Sequence, residues 1–365
     1  MHMPGTLGPV SAPAAGGDRC ISPGGTETAP PKISPAVGLP FPGSASRWRQ
    51  VEKDNSRSMK SSLLFLLLVG TMSAAAGPAW PALVEQTVQA VRAEFATPAL
   101  KPEQLAVTVI DLRNPARPVA AHYRGEAPFY PASVIKLFFL AYAHRRMEDG
   151  ALADTPELRR GLRDMIVESY NEATSYVVDA VTGTTSGPEL PPAALAEWSA
   201  RRSVVTDYFR ALGYSSVNAR RKPWGEGPYG REIQDMAAHL PARNSLSTND
   251  TARLLEEIAL GRCITAERSA QMLELMVRDP SKAPVGDADY EGVGFTGPAL
   301  TPGMKLWSKA GWVSWARHDA ALIGLPDGGR IIIVTFTDGR EHATNRAIIA
   351  AVARHILAGL PPVGQ

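Results

Sequence analysis

The sequence is short of the residues that build staples and metal sites. It holds two cysteines, Cys20 and Cys263, too few for a disulfide framework, and neither lies in a Cys-x-x-Cys pair or a Cys/His cluster with zinc-ligand spacing. No metal is expected. A charge of one sign is missing too: 38 Lys and Arg stand against 36 Asp and Glu, a net charge of +2 with no long basic run. Nucleic acid and acidic lipid therefore have no electrostatic footprint here. No apolar run reaches the ~20 residues that a membrane-spanning helix needs. His-Glu-x-x-His, a Walker sequence and Gly-x-Ser-x-Gly are absent as well. What remains is an ordinary soluble composition, 44% hydrophobic and 20% charged.

Nine prolines and eight glycines fall in the first 58 residues, which carry no apolar period and cannot bury enough surface to offset their ordering entropy. Next come Met59-Lys60-Ser61-Ser62, the apolar run Leu63-Leu64-Phe65-Leu66-Leu67-Leu68-Val69 and the small residues Ser73-Ala74-Ala75-Ala76. A basic start, a short apolar stretch and an Ala-x-Ala site compose a secretory signal, which belongs at an N-terminus. Translation is therefore expected to begin at Met59. Residues 1–58 are then an upstream disordered stretch, 59–79 a signal peptide and 80–365 one exported domain, periplasmic or secreted. A signal anchor behind a cytoplasmic tail is the alternative, and the shortness of the apolar run argues against it. No cysteine follows that run to carry a lipid. Without the first 79 residues, 31 Lys and Arg face 32 Asp and Glu over 286 residues, a length suited to one large domain. Cys263, beside Ile264 in an apolar helical region, reads as a core residue.

Periodicity predicts helices over Pro81–Phe95, Ser133–Glu148, Pro156–Glu168, Asn171–Val181, Pro192–Leu212, Asp250–Leu260, Ala266–Arg278 and Ala343–Leu360. Strands are predicted over Leu105–Leu112, Leu306–Trp315, His318–Leu325 and Arg330–Thr337, the last two around the turn Pro326-Asp327-Gly328-Gly329. The helix after Ser133 is apolar nearly all round, which places it in the interior. Strands near both ends with helices between them imply an α/β (α+β) fold. Its antiparallel sheet is built from both ends of the chain, flanked by helices, with an all-helical lobe inserted.

Gly292-Val293-Gly294-Phe295-Thr296-Gly297 matches the dinucleotide pattern Gly-x-Gly-x-x-Gly. It follows Asp287-Ala288-Asp289-Tyr290 and precedes Pro298 and Pro302, so the strand and helix that a dinucleotide site needs are missing, and it reads as a glycine-rich loop. Lys136 is more informative, an ammonium inside the apolar stretch from Val134 to Ala143. Desolvation there lowers a lysine pKa and makes it a candidate base. Ser133 lies three residues earlier, on the same helical face, and a hydroxyl becomes a nucleophile when a neighbouring base takes its proton. Its place at a helix start also aims backbone N–H groups at a developing oxyanion. Alone, Ser133 is equally a helix cap and Lys136 a lysine that snorkels to the surface.

Two more pieces extend the pattern: Ser169-Tyr170-Asn171 between two helices, and Lys309-Ala310-Gly311 on the first late strand. Ser-x-x-Lys, Ser-x-Asn and Lys-x-Gly in that order resemble the class A β-lactamase and penicillin-binding protein superfamily, over essentially all of residues 80–365. Leu246-Ser247-Thr248-Asn249-Asp250, opening a helix, adds to the likeness. The resemblance implies that Ser133 forms an acyl-enzyme, with Lys136 taking or relaying its proton. Ser169 would shuttle a proton to the leaving group, and Asn171 would bond the substrate amide. Lys309 would hold Ser169 and attract a substrate carboxylate, and Gly311 would leave room for substrate. The amides of Ser133 and Trp312 would form the oxyanion hole, and Arg317 would add a carboxylate contact. Ser169 and Glu172 also compose a capping box, and both roles are compatible.

The departures from that family are specific. Ser133 and Ser169 lie closer in sequence than in class A enzymes, Tyr170 replaces the usual Asp, and Ala310 replaces the usual Thr or Ser, removing a hydroxyl that would bond a carboxylate. The Glu-x-x-Leu-Asn sequence whose glutamate activates the deacylating water is absent. In its region, Trp224-Gly225-Glu226-Gly227-Pro228-Tyr229-Gly230-Arg231-Glu232 offers Glu226 and, second, Glu232. The alternative is a solvated loop with Glu232 paired to an arginine. His318-Asp319 could suggest a triad, but nothing in the sequence ties the pair to Ser133.

The expected activity is acyl transfer on an amide or ester, as a class A-like β-lactamase with weak turnover. A cell-wall D-alanyl peptidase or esterase of the same fold, or a silent β-lactam- or peptidoglycan-binding module, are the alternatives. The protein is expected to act as a monomer on a small-molecule or peptidoglycan-derived substrate. Neither cofactor nor metal is expected, and no membrane anchor after signal cleavage.

Overall fold

The computed structural model describes residues 79–223, 227–240 and 243–363. The upstream stretch 1–58 and, but for its last residue, the signal peptide 59–79 lie outside the described residues, as does Glu226. The chain begins α1 (Trp80–Glu94), β1 (Leu105–Asp111) and β2 (Val119–Tyr123). The lobe follows with α2 (Lys136–Glu148), α3 (Pro156–Ile166), α4 (Asn171–Thr182), α5 (Pro192–Ala211), α6 (Arg231–Ala238), α7 (Thr248–Ala259) and α8 (Ala266–Met276). The chain then returns through β3 (Val277–Arg278), β4 (Lys305–Val313), β5 (Ala316–Gly324) and β6 (Arg330–Asp338), and ends in α9 (Arg340–Ala343) and α10 (Ala347–Ala358).

The six strands lie in the order β2-β1-β6-β5-β4-β3, with every pairing antiparallel. β1 pairs with β6, Leu105 opposite Thr337 and Asp111 opposite Ile331, so the sheet does join the two ends of the chain. β6 shows why its sequence is apolar without alternation. Ile331 and Ile333 face a core shared with Trp80, Val84, Ile348 and Val352, while Ile332, Val334 and Phe336 face a second core shared with Phe129, Leu137 and Leu255. Successive side chains of a strand point to opposite faces, and both faces are covered here. α1 and α10 form one cover and the lobe the other.

At the centre of the lobe, Leu137, Phe138, Phe139, Leu140, Ala141 and Ala143 are all buried, so α2 is interior as its sequence predicts. Each large apolar side chain buried in this way contributes ~1.5–3 kcal/mol. The helices around it have ordinary signals. Thr155, Ser247 and Thr265 cap α3, α7 and α8 by accepting from Leu158, Asp250 and Arg268 amides, and Gly183 closes α4 in the left-handed region at φ 63°. Burial pushes the Cys263 thiol up to about 12, which makes it a core residue and not a nucleophile.

Five elements differ from the sequence expectation: the short β3, which takes the end of the helix predicted to Arg278, the short α9, which precedes the last helix, and three more. β2 is a short, half-exposed edge strand whose two alanines give little alternation. α6 occupies part of the stretch read as a loop, because its pattern is inverted: Glu232 and Asp235 are buried while Ile233 is exposed. The helix predicted from Ser133 begins instead as a 3₁₀ turn, Ala132–Ile135, and becomes α-helical at Lys136. Among the described residues, no helix is long and apolar enough to cross a membrane.

Candidate active site

The 3₁₀ turn decides how Ser133 meets Lys136. With three residues per turn, positions i and i+3 fall on one side of the turn, which places Ser133 and the lysine that opens α2 on the same side. Ala132, just before the serine, adopts φ 46°, and Ser169 adopts φ 57°. Non-glycine residues avoid this region, and such strain gathers at functional sites. The turn packs against β4, whose edge beyond Trp307 has no strand on that side because β3 pairs only with Leu306 and Trp307. Gly311 lies at the contact. A Cβ there would stand 2.5 Å from the Ser133 nitrogen and 2.8 Å from that of Val134, so only glycine permits the approach.

Lys136 is fully buried. Its Nζ donates to the Ser169 backbone oxygen at 2.6 Å, to Ser169 Oγ at 3.1 Å and to Asn171 Oδ1 at 3.1 Å. Three of the predicted residues are thereby joined, with Ser133 in the turn above. No carboxylate touches this ammonium among the described residues. Burial, and then repulsion from Lys309, lower its pKa to about 7, against weaker support from Glu291 and Glu172. A lysine titrating there is a competent base at neutral pH. Ser169 is thus held by Lys136, not by Lys309, and its capping box with Glu172 does not form: Tyr170 is the N-cap of α4 and makes no side-chain cap bond.

Lys309, in the middle of β4, is equally buried but has a partner. Its Nζ donates to Glu291 Oε1 and to the Ala310 carbonyl oxygen at 2.9 Å, and the second Glu291 oxygen accepts from Arg278 Nε at 2.9 Å. Burial works to raise the Glu291 pKa, but the charges of Lys309 and Arg278 outweigh it and hold the carboxyl below its ordinary value. Arg317 does not offer a cation to substrate. It is buried, donating to Asp289 Oδ1 at 2.7 Å and to the Gly294 carbonyl at 2.9 Å, with its guanidinium over the Phe295 ring at 4.1 Å. The carboxylate that it binds belongs to the chain. Arg346 and then Arg317 bring Asp289 down to about 2. Trp312, next to Gly311, has a half-exposed ring, and Arg243 lies over the Trp315 ring at 5.3 Å.

His318 and Asp319 form no triad with Ser133. Adjacent on β5, they point to opposite faces. His318 donates from Nε2 to the Tyr130 carbonyl at 2.8 Å and accepts the Thr337 amide at Nδ1, and burial lowers it to about 4, so it is a neutral brace beneath the approach to Ser133. Asp319 accepts the Thr296 amide at 3.1 Å and is raised by burial to about 6.

Of the two glutamates proposed for deacylation, only Glu232 is described. It is buried on α6, where one oxygen accepts from Arg202 at 2.8 Å and from Ser186 at 2.9 Å. The alternative paired it with an arginine on a solvated loop; the arginine is there and the solvent is not. Lys222 and Asp179, bonded at 2.7 Å, extend this network, and Asp235, on the same helix as Glu232, pairs with Arg220 and Arg221.

Glu291 is the residue of the site that sequence reasoning did not find. It precedes the Gly-x-Gly-x-x-Gly loop, which folds tightly on itself: a Cβ on Gly297 would stand 1.9 Å from the Gly292 oxygen. A loop glutamate has no period to betray it. The available signal was indirect, since a lysine inside an apolar strand requires a buried counter-charge.

A comparison with curated proteins finds no match. Among solved structures, the fold is similar to a beta-lactamase from Sphaerobacter thermophilus DSM 20745, with a TM-score of 0.54 and 18% identity over 78% of this chain and 99% of that one. PBP-A is similar with a TM-score of 0.54 and 17% identity over 78% and 97%. The class A beta-lactamase of the last common ancestor of Gram-negative bacteria gives 0.52 and 19% over 76% and 98%. At such identities the likeness is one of fold. A model of the beta-lactamase enzyme family matches residues 153–360, from α3 through α10, a stretch that includes Ser169, Asn171, Lys309 and Gly311 and starts after Ser133 and Lys136. With more than half of the chain matched, and with the sheet and lobe arranged as in these structures, the protein belongs to the beta-lactamase enzyme family.

Proposed function

We propose that the protein is an exported, monomeric serine hydrolase that forms an acyl-enzyme at Ser133 on an amide or ester. One observation carries this: the fully buried Lys136, without a carboxylate partner, joins the Ser133 turn to Ser169 and Asn171. Neutral Lys136 takes the Ser133 proton as Oγ attacks the carbonyl carbon. The amides of Ser133 and Trp312 receive the oxyanion where Gly311 lets β4 close on the turn. Ser169, bonded to Lys136, returns the proton to the leaving group, and the Asn171 side-chain NH₂ donates to the substrate carbonyl. No cofactor enters these steps.

Deacylation is the weak half. Glu226 is the first candidate to hold the deacylating water, and the second, Glu232, is committed to Arg202 and Ser186. β-Lactams therefore acylate Ser133 and leave slowly. Intact mass after incubation with a penicillin tests this: a long-lived adduct on the wild type and none on Ser133→Ala is expected. An adduct on Ser133→Ala at the wild-type rate overturns the assignment. Absence of any adduct with penicillins and activated esters alike favours the silent binding module. Stopped-flow with a chromogenic cephalosporin should show a burst followed by slow turnover, and Glu226→Gln should lengthen the acyl-enzyme lifetime.

A further inference from the structure

Two cations lie on the strands beside Ser133, Lys309 on β4 and Arg317 on β5, and both are buried against carboxylates from one loop, 279–296. Both oxygens of Glu291 are used, one by Lys309 and one by Arg278. Asp289 is used by Arg317 at 2.7 Å and by Arg346 at 2.8 and 2.7 Å. The loop is tied down further where Asp319 accepts the Thr296 amide and Arg317 donates to the Gly294 carbonyl. Beside Lys309 stands Ala310, with no hydroxyl to offer a carboxylate. A substrate carboxylate arriving at Lys309 would have to expel Glu291 and leave Arg278 and Lys309 to share a new anion. Breaking a buried pair on one side leaves an uncompensated charge, which is among the more expensive events in a protein interior.

We infer that Glu291 fills the carboxylate position of this site from within, so that among the esters and amides that acylate Ser133, β-lactams included, the enzyme prefers those whose group at Lys309 carries no negative charge. This rests on the acyl-transfer reading above and narrows it to a substrate class. The selection is negative in kind: a neutral group meets no penalty at an already neutralised lysine, whereas an anionic one competes with a tethered carboxylate.

A matched pair of thioesters tests it, N-benzoylglycyl thioglycolate, which carries a free carboxylate, and its methyl ester, which does not. In both, the Ser133 oxygen bonds the acyl carbon as the C–S bond breaks. The thiol leaves with the proton taken from the hydroxyl, and water then releases N-benzoylglycine. Thiol release gives kcat/KM for each on the full chain. The expected result is a preference of tenfold or more for the methyl ester, narrowed severalfold in Glu291→Gln, where Lys309 is released to meet an anion. The wild-type ratio needs no variant, so a Glu291→Gln protein that fails to fold does not remove the test. Equal cleavage, or preference for the free carboxylate, overturns the inference and leaves the acyl-transfer reading standing. Cleavage of neither thioester, with no acyl mass on Ser133, overturns both.

Discussion

The first turn of α2 and the middle of β4 each bury a lysine completely and treat it in opposite ways. Lys136 meets only neutral acceptors, a backbone oxygen, a hydroxyl and an amide, and loses its proton near pH 7. Lys309 meets Glu291, backed by Arg278. The two sites are close enough that the Lys309 charge is felt at Lys136. A buried ammonium without a counter-ion is unstable as a cation and is therefore useful as a base; one with a counter-ion is locked as part of the framework. Whether a buried lysine can serve as a base is decided by what the chain places beside it and not by how deeply it is buried.

The sharpest way to break the comparison is at Lys136. Lys136→Met should slow acylation by about 10²–10⁴, the usual range for a general base, and Lys136→Arg should not rescue it, since a guanidinium stays protonated in a protein. Acylation by the Arg variant at the wild-type rate, measured by stopped-flow, would remove the base assignment. Next comes the counter-ion. Glu291→Ala leaves Lys309 and Arg278 uncompensated and should cost ~3–5 kcal/mol in urea unfolding, with Glu291→Gln/Lys309→Met recovering much of it. No loss in the single variant would mean that the pair contributes nothing to the fold.

A pH titration sharpens the contrast. Lys136 acts when neutral, so acylation should fall as pH drops through about 7. Its folded pKa lies below the unfolded value, so between pH 7 and about 10.4 the unfolded chain holds the extra proton and stability rises with pH. Lys136→Met, which has no such group, should gain most over the wild type below pH 7 and least at the alkaline end of that window. A gain that does not change with pH would show that Lys136 is not the titrating group. The smallest effect belongs to the Trp312 ring, half-exposed on β4: Trp312→Ala should move the thermal midpoint little, within ~0.5 kcal/mol.

The fold was legible wherever burial and period agree. β6 reads as a strand and α2 as an interior helix, and each buries nearly every residue in sequence. α6 was not legible because its buried side is charged, and a hydrophobic period cannot report Glu232 and Asp235 turned inward. The site divides in the same way. The proximity of Lys136 to Ser169 and Asn171 could be expected because short, ordered spacings carry these residues. Glu291 could not, since it reaches Lys309 across a loop that only the tertiary structure closes. Arg317 shows the opposite error: a cation beside the site looked available until its own loop claimed it.

The pairing of β1 with β6 has a consequence for how the chain is made. Val107 waits for Thr335 and Ile110 for Ile332, partners that leave the ribosome more than two hundred residues later. Until then β1 has only β2 beside it, and one of its edges stays open. Such long-range pairing is slow and leaves unpaired edges exposed meanwhile. A nascent chain stalled before Arg330 should therefore be protease-sensitive throughout, and synthesis of the last strand should confer resistance on the whole sheet at once.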